Sequence, residues 1–361
     1  MHSVYIHIPF CKTICTYCDF CKVYYNEKFV NDYLTSLEKE INSQYNNEIL
    51  DTIYVGGGTP SSLNISQLRK LFQIIALFKK SRKCEFTFEC NIEDISLELL
   101  TILKENGVNR LSIGIQSFNK KILKLMNRKA DFKDCQKKIA LARTLGFQNI
   151  NLDLMYAMPK ETMFTLKRDL KKFLKLAPEH ISTYSLILEK NTILSNQGIK
   201  NIKEEKDDKM YNYIIKTLTA HGYLHYEVSN FSKPGCSSIH NTTYWLNNGY
   251  YGFGCGAHGY LGNIRYENTR SITKYIANHY CISQNLLSKQ EEMDNEIMLG
   301  LRLLKGIDTK RFENKYHISL IKAYPNISNL IKEGLLIYED NFLKIPEKYI
   351  YIMDSIVIKI I

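Results

Sequence analysis

The sequence lacks any long uncharged apolar run. No window approaches about 18 such residues, so we predict no membrane-spanning helix. A charged-then-apolar leader is missing too, because Met1–Ser3 run straight into a strand-like stretch, and we expect no signal peptide. We find no nucleic-acid motif of interleaved aromatic and basic residues, no internal repeat and no low-complexity tract. These absences predict a cytoplasmic protein with no nucleic-acid partner.

Positive charge is in excess, with a formal net charge of +11 at pH 7. Such an excess of positive charge can attract an anionic partner, such as nucleic acid or a membrane surface. The basic residues are spread along the chain, and the chain as a whole is rich in Lys, Asn, Ile and Tyr. We therefore attribute the excess of positive charge to codon composition rather than to a basic surface patch. Peripheral membrane contact stays open as an alternative. In a reducing compartment, the ten cysteines are predicted to be ligands or small core residues rather than disulfides.

Apolar, β-branched runs alternate with helix-period stretches in the first half of the chain. The predicted strands are Ser3–Ile8, Thr52–Gly56, Cys84–Glu89, Arg110–Gly114, Asn149–Leu154 and His180–Leu188. The predicted helices are Lys28–Gln44, Ser66–Phe78, Leu97–Asn106, Phe132–Leu145 and Thr165–Leu176. Strands separated by helices pair in parallel. We therefore predict the α/β class and a partial (β/α)6 barrel, with its site at the C-terminal ends of the strands.

Changes in composition divide the chain into three predicted parts. Residues 1–190 form the barrel. Residues 191–285 form an extension of it, rich in Gly, Tyr and His between residues 222 and 265, with loop signals at Pro234-Gly235 and Asn248-Gly249. Residues 286–361 form a small, mostly helical or winged module, in which Leu335–Ile345 alternates like a hairpin.

Closely spaced cysteines stand near the start of the chain, in the run CKTICTYCDFC of residues 11–21. So tight a loop can place Cys11, Cys15 and Cys18 on one face of a cubane iron–sulfur cluster and leave the fourth iron without a protein ligand. A radical S-adenosylmethionine (SAM) site requires that open iron, because SAM chelates it. A structural zinc site would need a second Cys/His knuckle, and none is apparent. Cys21 is a spare ligand or a bystander thiol, and we favour the bystander.

Glycine and polar residues follow several of the predicted strands. Gly56–Pro60 reads GGGTP after the second strand, and glycines there let the backbone approach a ligand closely. Glu89, Gln116 and Asp153 each come just past a strand, from where they could reach the ribose or the amino acid part of SAM. Taken singly, each could equally be a strand-end cap. Together, at consecutive strand ends, they predict a ligand site.

The ordered motifs of the chain resemble a known family. The matching runs cover nearly the whole chain and are VYIHIPFCKTICTYCDF, GGGTPS, FTFECN, NRLSIGIQSF, NLDLMYAMP, HISTYSLILE, HYEVSNFSKPG, HNTTYW, GFGCGAHGY and RYEN. They are similar to the HemW heme chaperones, close relatives of the oxygen-independent coproporphyrinogen III dehydrogenases. The resemblance implies a partial barrel, a 4Fe–4S cluster, SAM and a C-terminal module. By position it implies SAM contacts from Tyr5, Tyr17, Gly58, Thr59, Glu89, Gln116, Arg128 and Asp153.

Two differences favour the chaperones over the similar dehydrogenases. The dehydrogenases carry an extra cysteine in a CxC arrangement after the third ligand, whereas here Asp19 and Phe20 follow Cys18 and Cys21 comes one position too late. The dehydrogenases also carry a substantial N-terminal extension, whereas this cluster motif begins at residue 11. Cys21 and Cys255 occupy positions that are commonly Asn and Ala in the chaperones. We interpret both as tolerated small substitutions.

A heme-binding segment is predicted at HNTTYW, residues 240–245. The resemblance implies that His240 contacts heme, and imidazole is a normal axial ligand of heme iron. Tyr244 and Trp245 would offer flat apolar surface to the macrocycle. In the alternative interpretation, His240 only hydrogen-bonds within a loop and the two aromatic rings pack in the core. His258 and Cys236 are weaker candidates for the heme contact.

The resemblance implies a cytoplasmic heme chaperone that binds a 4Fe–4S cluster, SAM and heme. Its implied partners are heme, acceptor hemoproteins of the respiratory chain and an electron donor for the cluster. The alternative function is that of an oxygen-independent coproporphyrinogen III dehydrogenase, which decarboxylates propionates by radical oxidation. A radical SAM enzyme acting on another small molecule is a third hypothesis. We expect a carrier more than an enzyme.

Overall fold

The computed structural model describes residues 2–190 and 192–361. Met1 and Asn191, with which the first and second predicted parts begin, lie outside the described residues. The described strands are, in chain order, β1 Ser3–Ile8, β2 Phe10–Cys11, β3 Val23–Tyr24, β4 Leu50–Gly57, β5 Lys80–Asn91, β6 Arg110–Gln116, β7 Asn149–Tyr156, β8 His180–Ser185, β9 Leu224–Glu227, β10 Asn230–Ser232, β11 Tyr250–Phe253, β12 His258–Leu261, β13 Ile264–Asn268, β14 Cys281–Leu286, β15 Ile307–Asp308, β16 Ile337–Glu339 and β17 Phe342–Lys344.

The described α-helices are, in chain order, α1 Glu27–Gln44, α2 Ile65–Ile75, α3 Leu97–Glu105, α4 Lys120–Leu125, α5 Phe132–Thr144, α6 Met163–Lys175, α7 Ile193–Asn196, α8 Glu204–Ala220, α9 Ile239–Trp245, α10 Ile272–Ile276, α11 Lys289–Gly300, α12 Thr309–Tyr316, α13 Leu320–Ala323, α14 Ile327–Lys332 and α15 Met353–Ile358. Among these helices we find no segment with the length and apolar character that crossing a membrane requires.

One mixed sheet carries the first three quarters of the chain. Its strand order is β14-β13-β12-β11-β1-β4-β5-β6-β7-β8-β10-β9. The six strands from β1 to β8 in that order pair in parallel, and β11 is also parallel to β1. All seven residues of β6 are buried, as expected for a parallel strand with both faces covered. The predicted α/β partial barrel is therefore confirmed.

Local sequence signals explain where the helices that cover the sheet begin. Asn26 caps α1 by accepting a hydrogen bond from the backbone of Phe29. Asn64 and Gln67 form a reciprocal capping box at the start of α2, which satisfies two otherwise unpaired backbone donors. Both helices bury one apolar stripe against the sheet, so the strand ends are held in fixed register.

Several strands extend farther than the apolar runs predicted, whereas β8 ends at Ser185, before the predicted end at Leu188. β5 runs on to Asn91, β6 to Gln116 and β7 to Tyr156. The prediction that Glu89, Gln116 and Asp153 come just past the strands is therefore wrong, because all three lie within strands. Gly56 and Gly57 likewise belong to β4. Polar residues fit inside these strands because their side chains face the interior of the barrel, where they line a cavity.

Residues 222–265 are more regular than their glycine content predicts. They contain β9–β12, α9 and the first two residues of β13, and the strands extend the sheet at both of its edges. Ser238 caps α9 by accepting from the backbone of Asn241. The predicted heme-binding segment is therefore helical, and the interpretation of His240 as a loop residue is wrong.

The C-terminal part, from α11 onward, contains short helices and a small sheet of order β15-β17-β16. The predicted hairpin is confirmed, since β16 and β17 pair antiparallel. Asp340 and Asn341 turn the chain between them with φ of 51° and 65°, the left-handed conformation that Asp and Asn tolerate well. The three-part division of the chain itself stays a prediction.

Candidate functional site

The three motif cysteines line a cavity of about 510 Å³ at the C-terminal edge of the parallel strands. We call it the cluster cavity. It brings together most of the residues that the sequence predicted as cofactor contacts. Those that line it are Cys11, Cys15, Tyr17, Cys18, Gly58, Thr59, Glu89, Gln116, Arg128 and Asp153.

The cysteine loop is anchored at both ends. Cys11 ends β2, which pairs with β3, and the backbone of Cys18 donates to the carbonyl of Cys15 at 3.3 Å. The Thr59 hydroxyl lies 3.4 Å from the sulfur of Cys11 and donates to it. Burial raises the pKa of Cys11 to about 11 and also raises that of Cys18. Iron coordination would remove these thiol protons, as metals do for their cysteine ligands.

The cysteines do not converge on one point. Within residues 2–190 and 192–361, we find no three Cys, His, Asp or Glu side chains placed to hold a single metal ion. A cluster does not need such a point, because each thiolate ligates a different iron. Gly58 keeps the space beside Cys11 open, since a Cβ there would lie 3.0 Å from its sulfur and 2.8 Å from the carbonyl carbon of Pro9.

Glu89 projects from β5 into the cluster cavity and is held in place there. One carboxylate oxygen accepts from the Tyr54 hydroxyl at 2.7 Å, and the other accepts from the backbone of Gly57 at 3.1 Å. A Cβ at Gly56 would meet this carboxyl group at 2.8 Å, so the first glycine makes room for Glu89 rather than for a ligand. Burial raises the pKa of Glu89 to about 7.

Gln116 and Arg128 lie on the same wall of the cavity. Gln116 ends β6 with φ of 72°, a left-handed conformation that is uncommon for a residue with a side chain. The Arg128 guanidinium donates to the Gly114 carbonyl at 2.6 Å and to the side chain of Asn91. It also lies 3.7 Å from the carboxylate of Glu93. Its position is therefore fixed by two strands and by a charge.

Asp153 lies on β7 opposite Gly114 of β6. It accepts a hydrogen bond of 2.8 Å from Asn151, and burial raises its pKa. Tyr17 lines the cavity from the cysteine loop. Tyr5, by contrast, lines a neighbouring cavity, where its hydroxyl lies 2.9 Å from Nδ1 of His7.

This second cavity, of about 440 Å³, adjoins the first, and we call it the histidine cavity. The two share a wall of Asp19, Phe20, Tyr54, Glu89 and Asn241. The other residues that line the histidine cavity are Tyr5, His7, Cys21, His240, Tyr244, Tyr250, Gly256, His258 and Arg270.

His240 is buried, and both of its ring nitrogens are occupied. Nδ1 lies 2.7 Å from the Thr52 hydroxyl and Nε2 lies 2.8 Å from the Tyr244 hydroxyl. The ring also stacks on Tyr54 with centroids 5.0 Å apart. Burial lowers the pKa of His240 to about 3, so the ring is neutral. To ligate iron it would have to release one of these hydroxyls.

The other predicted heme contacts lie in different places. His258 lines the same cavity with an exposed side chain, and its Nε2 lies 3.8 Å from Glu267. Trp245 does not line this cavity. Its ring packs under the guanidinium of Arg302, 4.9 Å away, because helix α9 turns that side toward the C-terminal part. Cys236 also stays outside, in the turn between β10 and α9.

Cys21 and Cys255, the two departures from the family pattern, contact each other. Their sulfurs lie 3.8 Å apart. Cys255 also donates to the carbonyl of Thr269 at 3.1 Å. Cys21 lines the histidine cavity and not the cluster cavity, which supports its interpretation as a bystander to the cluster.

Sequence reasoning missed several residues that line the cluster cavity. Along β6, Arg110, Ser112, Gly114 and Gln116 all line it at intervals of two. Because alternate residues of a strand face the same side, counting back by twos from Gln116 would have found the others. The same step leads from Asp153 to Asn151 on β7.

Known proteins are similar to this chain over more than nine tenths of its length. The model of the Radical SAM superfamily matches residues 5–173, and that of the HemN C-terminal domain matches residues 287–348. The heme chaperone HemW of Lactococcus lactis is 42% identical over 348 residues, which are 94% of this chain and 91% of that protein. HemW of Bacillus subtilis is 41% identical over 351 residues, 93% of each chain.

A solved structure has the same fold. Coproporphyrinogen III oxidase (HemN) from Escherichia coli, a radical SAM enzyme, superposes with a TM-score of 0.88 over 99% of this chain and 89% of that chain. The two sequences are 23% identical. At that identity the likeness establishes the fold alone.

Proposed function

We propose, from the premise that the chain belongs to the HemW family of the radical SAM superfamily, that it is a heme chaperone. In this proposal it binds a 4Fe–4S cluster, SAM and heme and delivers heme to acceptor hemoproteins. The observation that carries the proposal is the meeting of the three motif cysteines with the polar strand residues around one cavity. The similarity to the HemW relatives supports the same conclusion, because the alignments at 41–42% identity cover more than nine tenths of those proteins.

Cys11, Cys15 and Cys18 are the proposed cluster ligands. Their loop, the Thr59 hydroxyl and the space beside Gly58 fit a cluster held against the end of β4. When bound, the cluster supplies the electron that radical SAM chemistry needs. The chain itself holds the thiolates apart and positions polar groups around the open side.

The remaining groups in the cluster cavity are suited to SAM. Carboxylates such as Glu89 and Asp153 accept hydrogen bonds from ribose hydroxyls or from an ammonium group. Gln116 offers both a donor and an acceptor, and Arg128 adds a fixed positive charge. Tyr17, Gly58 and Thr59 line the same cavity, and Tyr5 reaches it only through its neighbour Tyr54, with ring centroids 6.0 Å apart.

We place heme in the histidine cavity, next to SAM. Tyrosine rings offer the flat apolar contact that a macrocycle requires, and His240 and His258 supply imidazoles. His240 would bind iron after releasing Tyr244 or Thr52, whereas His258 could bind with less rearrangement because its ring is exposed. The further partners we propose are acceptor hemoproteins of the respiratory chain and an electron donor, in the cytoplasm and with peripheral membrane contact.

Heme titration of the reconstituted protein under anaerobic conditions tests this placement. We expect the His240→Ala and His258→Ala variants to show a weaker Soret change than the wild type. His279→Ala is the matched control, because His279 is exposed and lies outside the histidine cavity. An unchanged affinity in both cavity variants would remove heme from this cavity.

Two further assays separate carrier from enzyme. Heme-loaded protein should pass heme to an apo-cytochrome b domain, observed as a shift of the Soret band. Incubation with SAM, reductant and coproporphyrinogen III should leave the porphyrinogen unchanged. Formation of protoporphyrinogen would replace the chaperone proposal with that of a dehydrogenase.

A further inference from the structure

Arg110 is a buried arginine at the floor of the cluster cavity. It is the first residue of β6 and is 2% exposed, and it lines the cavity from six residues below Gln116. At about 3.3 Å per residue, its backbone lies roughly 20 Å from the end of the strand that faces the cysteines. Its backbone therefore lies at the end of the cavity opposite the cluster motif, and its side chain lines the cavity from there.

This guanidinium makes only one weak hydrogen bond in the described part of the chain. Its Nη1 lies 3.5 Å from the Thr87 hydroxyl, at the limit of a hydrogen bond. Its Nε is buried and has no partner. Across residues 2–190 and 192–361, no carboxylate oxygen lies within 4.0 Å of it.

Arg128, the other arginine of the cavity, differs from Arg110 because the terminal nitrogens of its guanidinium have acceptors. Both terminal nitrogens of Arg128 are hydrogen-bonded, and Glu93 balances its charge at 3.7 Å. Glu89 and Asp153, the carboxylates nearest in the cavity, are bound to Tyr54, Gly57 and Asn151 rather than to Arg110. The charge of Arg110 acts on both carboxyl groups from a distance, where it opposes the rise that burial causes in their pKa. Buried guanidinium donors without acceptors are costly, so an arginine that keeps them commonly serves a ligand.

We propose that Arg110 forms a carboxylate subsite, which receives a propionate group of the tetrapyrrole. A guanidinium binds a carboxylate through two parallel hydrogen bonds, and Arg110 retains the donors for them. Glu89 and Asp153 line the same cavity and repel a group of higher negative charge, such as a phosphate. This proposal rests on the proposed heme function. It adds that a propionate is the part of heme that enters the barrel.

SAM also carries a carboxylate, but that carboxylate would bind at a different end of the cluster cavity. Bound to an open iron, that carboxylate would lie beside Cys11, Cys15 and Cys18, at the opposite end of the cavity from Arg110. The propionate is therefore the source to which we assign the subsite. The experiment below separates the two sources.

Heme and heme dimethyl ester, titrated against the cluster-loaded protein, test the subsite because the ester removes both carboxylates and keeps the macrocycle. The wild type should bind heme roughly 10- to 100-fold more tightly than the ester. Arg110→Gln should bind both alike, and Arg110→Lys should keep part of the preference. Arg143→Gln, which breaks an ion pair with Glu179 outside the cavity, is the matched control and should behave as the wild type.

Each other result overturns something specific. Equal binding of heme and ester by the wild type would overturn the subsite and leave heme binding intact, even if Arg110→Gln does not fold. Retained preference in a folded Arg110→Gln would overturn it as well. A selective loss of SAM affinity in Arg110→Gln would assign the guanidinium to SAM instead. If the wild type bound neither tetrapyrrole, the proposed function itself would fail.

Discussion

The two adjoining cavities are built in opposite ways. The cluster cavity presents groups that retain donors or acceptors, such as the thiols of its loop and the guanidinium of Arg110. The histidine cavity presents rings that already bind one another, such as His240 with Tyr244 and Tyr5 with His7. In the first, these groups keep free donors or acceptors, whereas in the second a ligand of His240 has to replace one of its internal hydrogen bonds. Substitutions in the cluster cavity should therefore affect ligand binding. Substitutions in the histidine cavity should affect ligand binding and also the stability of the fold.

The largest expected effect is loss of the cluster. Cys15→Ser should abolish the absorbance of the reconstituted protein at roughly 400 nm, where thiolate-bound clusters absorb. Cys21→Ser should retain it, because Cys21 contacts Cys255 and lines the other cavity. Iron and sulfide analysis of both purified variants is the measurement. Loss of the cluster in Cys21→Ser would show that the two cavities share a ligand.

The next largest effect concerns acid stability of the histidine cavity. Burial lowers the pKa of His7 to about 4 and that of His240 to about 3, below the ordinary value of 6.5. At these two rings the unfolded chain binds protons more readily than the folded one, so their contribution to stability is full above pH 6.5 and is lost as the pH falls to about 4 for His7 and about 3 for His240. The two rings together account for a loss on the order of several kcal/mol.

Denaturant unfolding at several pH values measures this loss. His240→Gln should be less stable near neutral pH but should lose less stability on acidification than the wild type. His279→Gln, which changes an exposed ring, should keep the slope of the wild type. A slope unaltered by His240→Gln would mean that this ring is protonated without cost.

A smaller effect is expected for SAM. Asp153→Asn should weaken SAM binding by roughly tenfold or more, since it replaces a charged acceptor with a neutral one. Isothermal titration of the reconstituted protein with SAM measures the affinity. Asp207→Asn is a suitable control, because Asp207 is a carboxylate outside both cavities. Equal affinities in the wild type and Asp153→Asn would place SAM away from β7.

The smallest effect is expected at the contact between Cys21, which lines the histidine cavity, and Cys255. Cys255→Ala should change the free energy of unfolding by about 1 kcal/mol, because a buried free cysteine behaves as a small apolar residue. Thermal unfolding measures this change. A much larger loss would mean that the contact with Cys21 holds the cysteine loop in place.

The sequence predicted the barrel well, because the information is local. Runs such as Ser3–Ile8 and Arg110–Gly114 are buried strands, and amphipathic stretches between them make parallel pairing necessary. The short spacing of Cys11, Cys15 and Cys18 likewise predicted that they share one loop, because this information too is local in the sequence. What it could not supply were the strand ends, since polar residues that face a cavity look like residues beyond a strand.

The histidine cavity was beyond sequence reasoning because its contacts join distant residues. Thr52 binds His240 across 188 positions, and Cys21 meets Cys255 across 234. The motif HNTTYW suggested one continuous surface, but a helix points Tyr244 into the cavity and Trp245 away from it. The buried state of Arg110 was also hidden, because nothing in a run of strand residues shows whether a charge finds a partner.

The shared wall of Asp19, Phe20, Tyr54, Glu89 and Asn241 has a thermodynamic consequence. A ligand that shifts this wall from one side changes the free energy of binding on the other side. If SAM and heme occupy the two cavities as proposed, linkage makes that change reciprocal: the factor by which SAM alters heme affinity equals the factor by which heme alters SAM affinity. A chaperone built in this way could retain its cargo in the presence of one cofactor and release it in its absence, with no chemical step consumed.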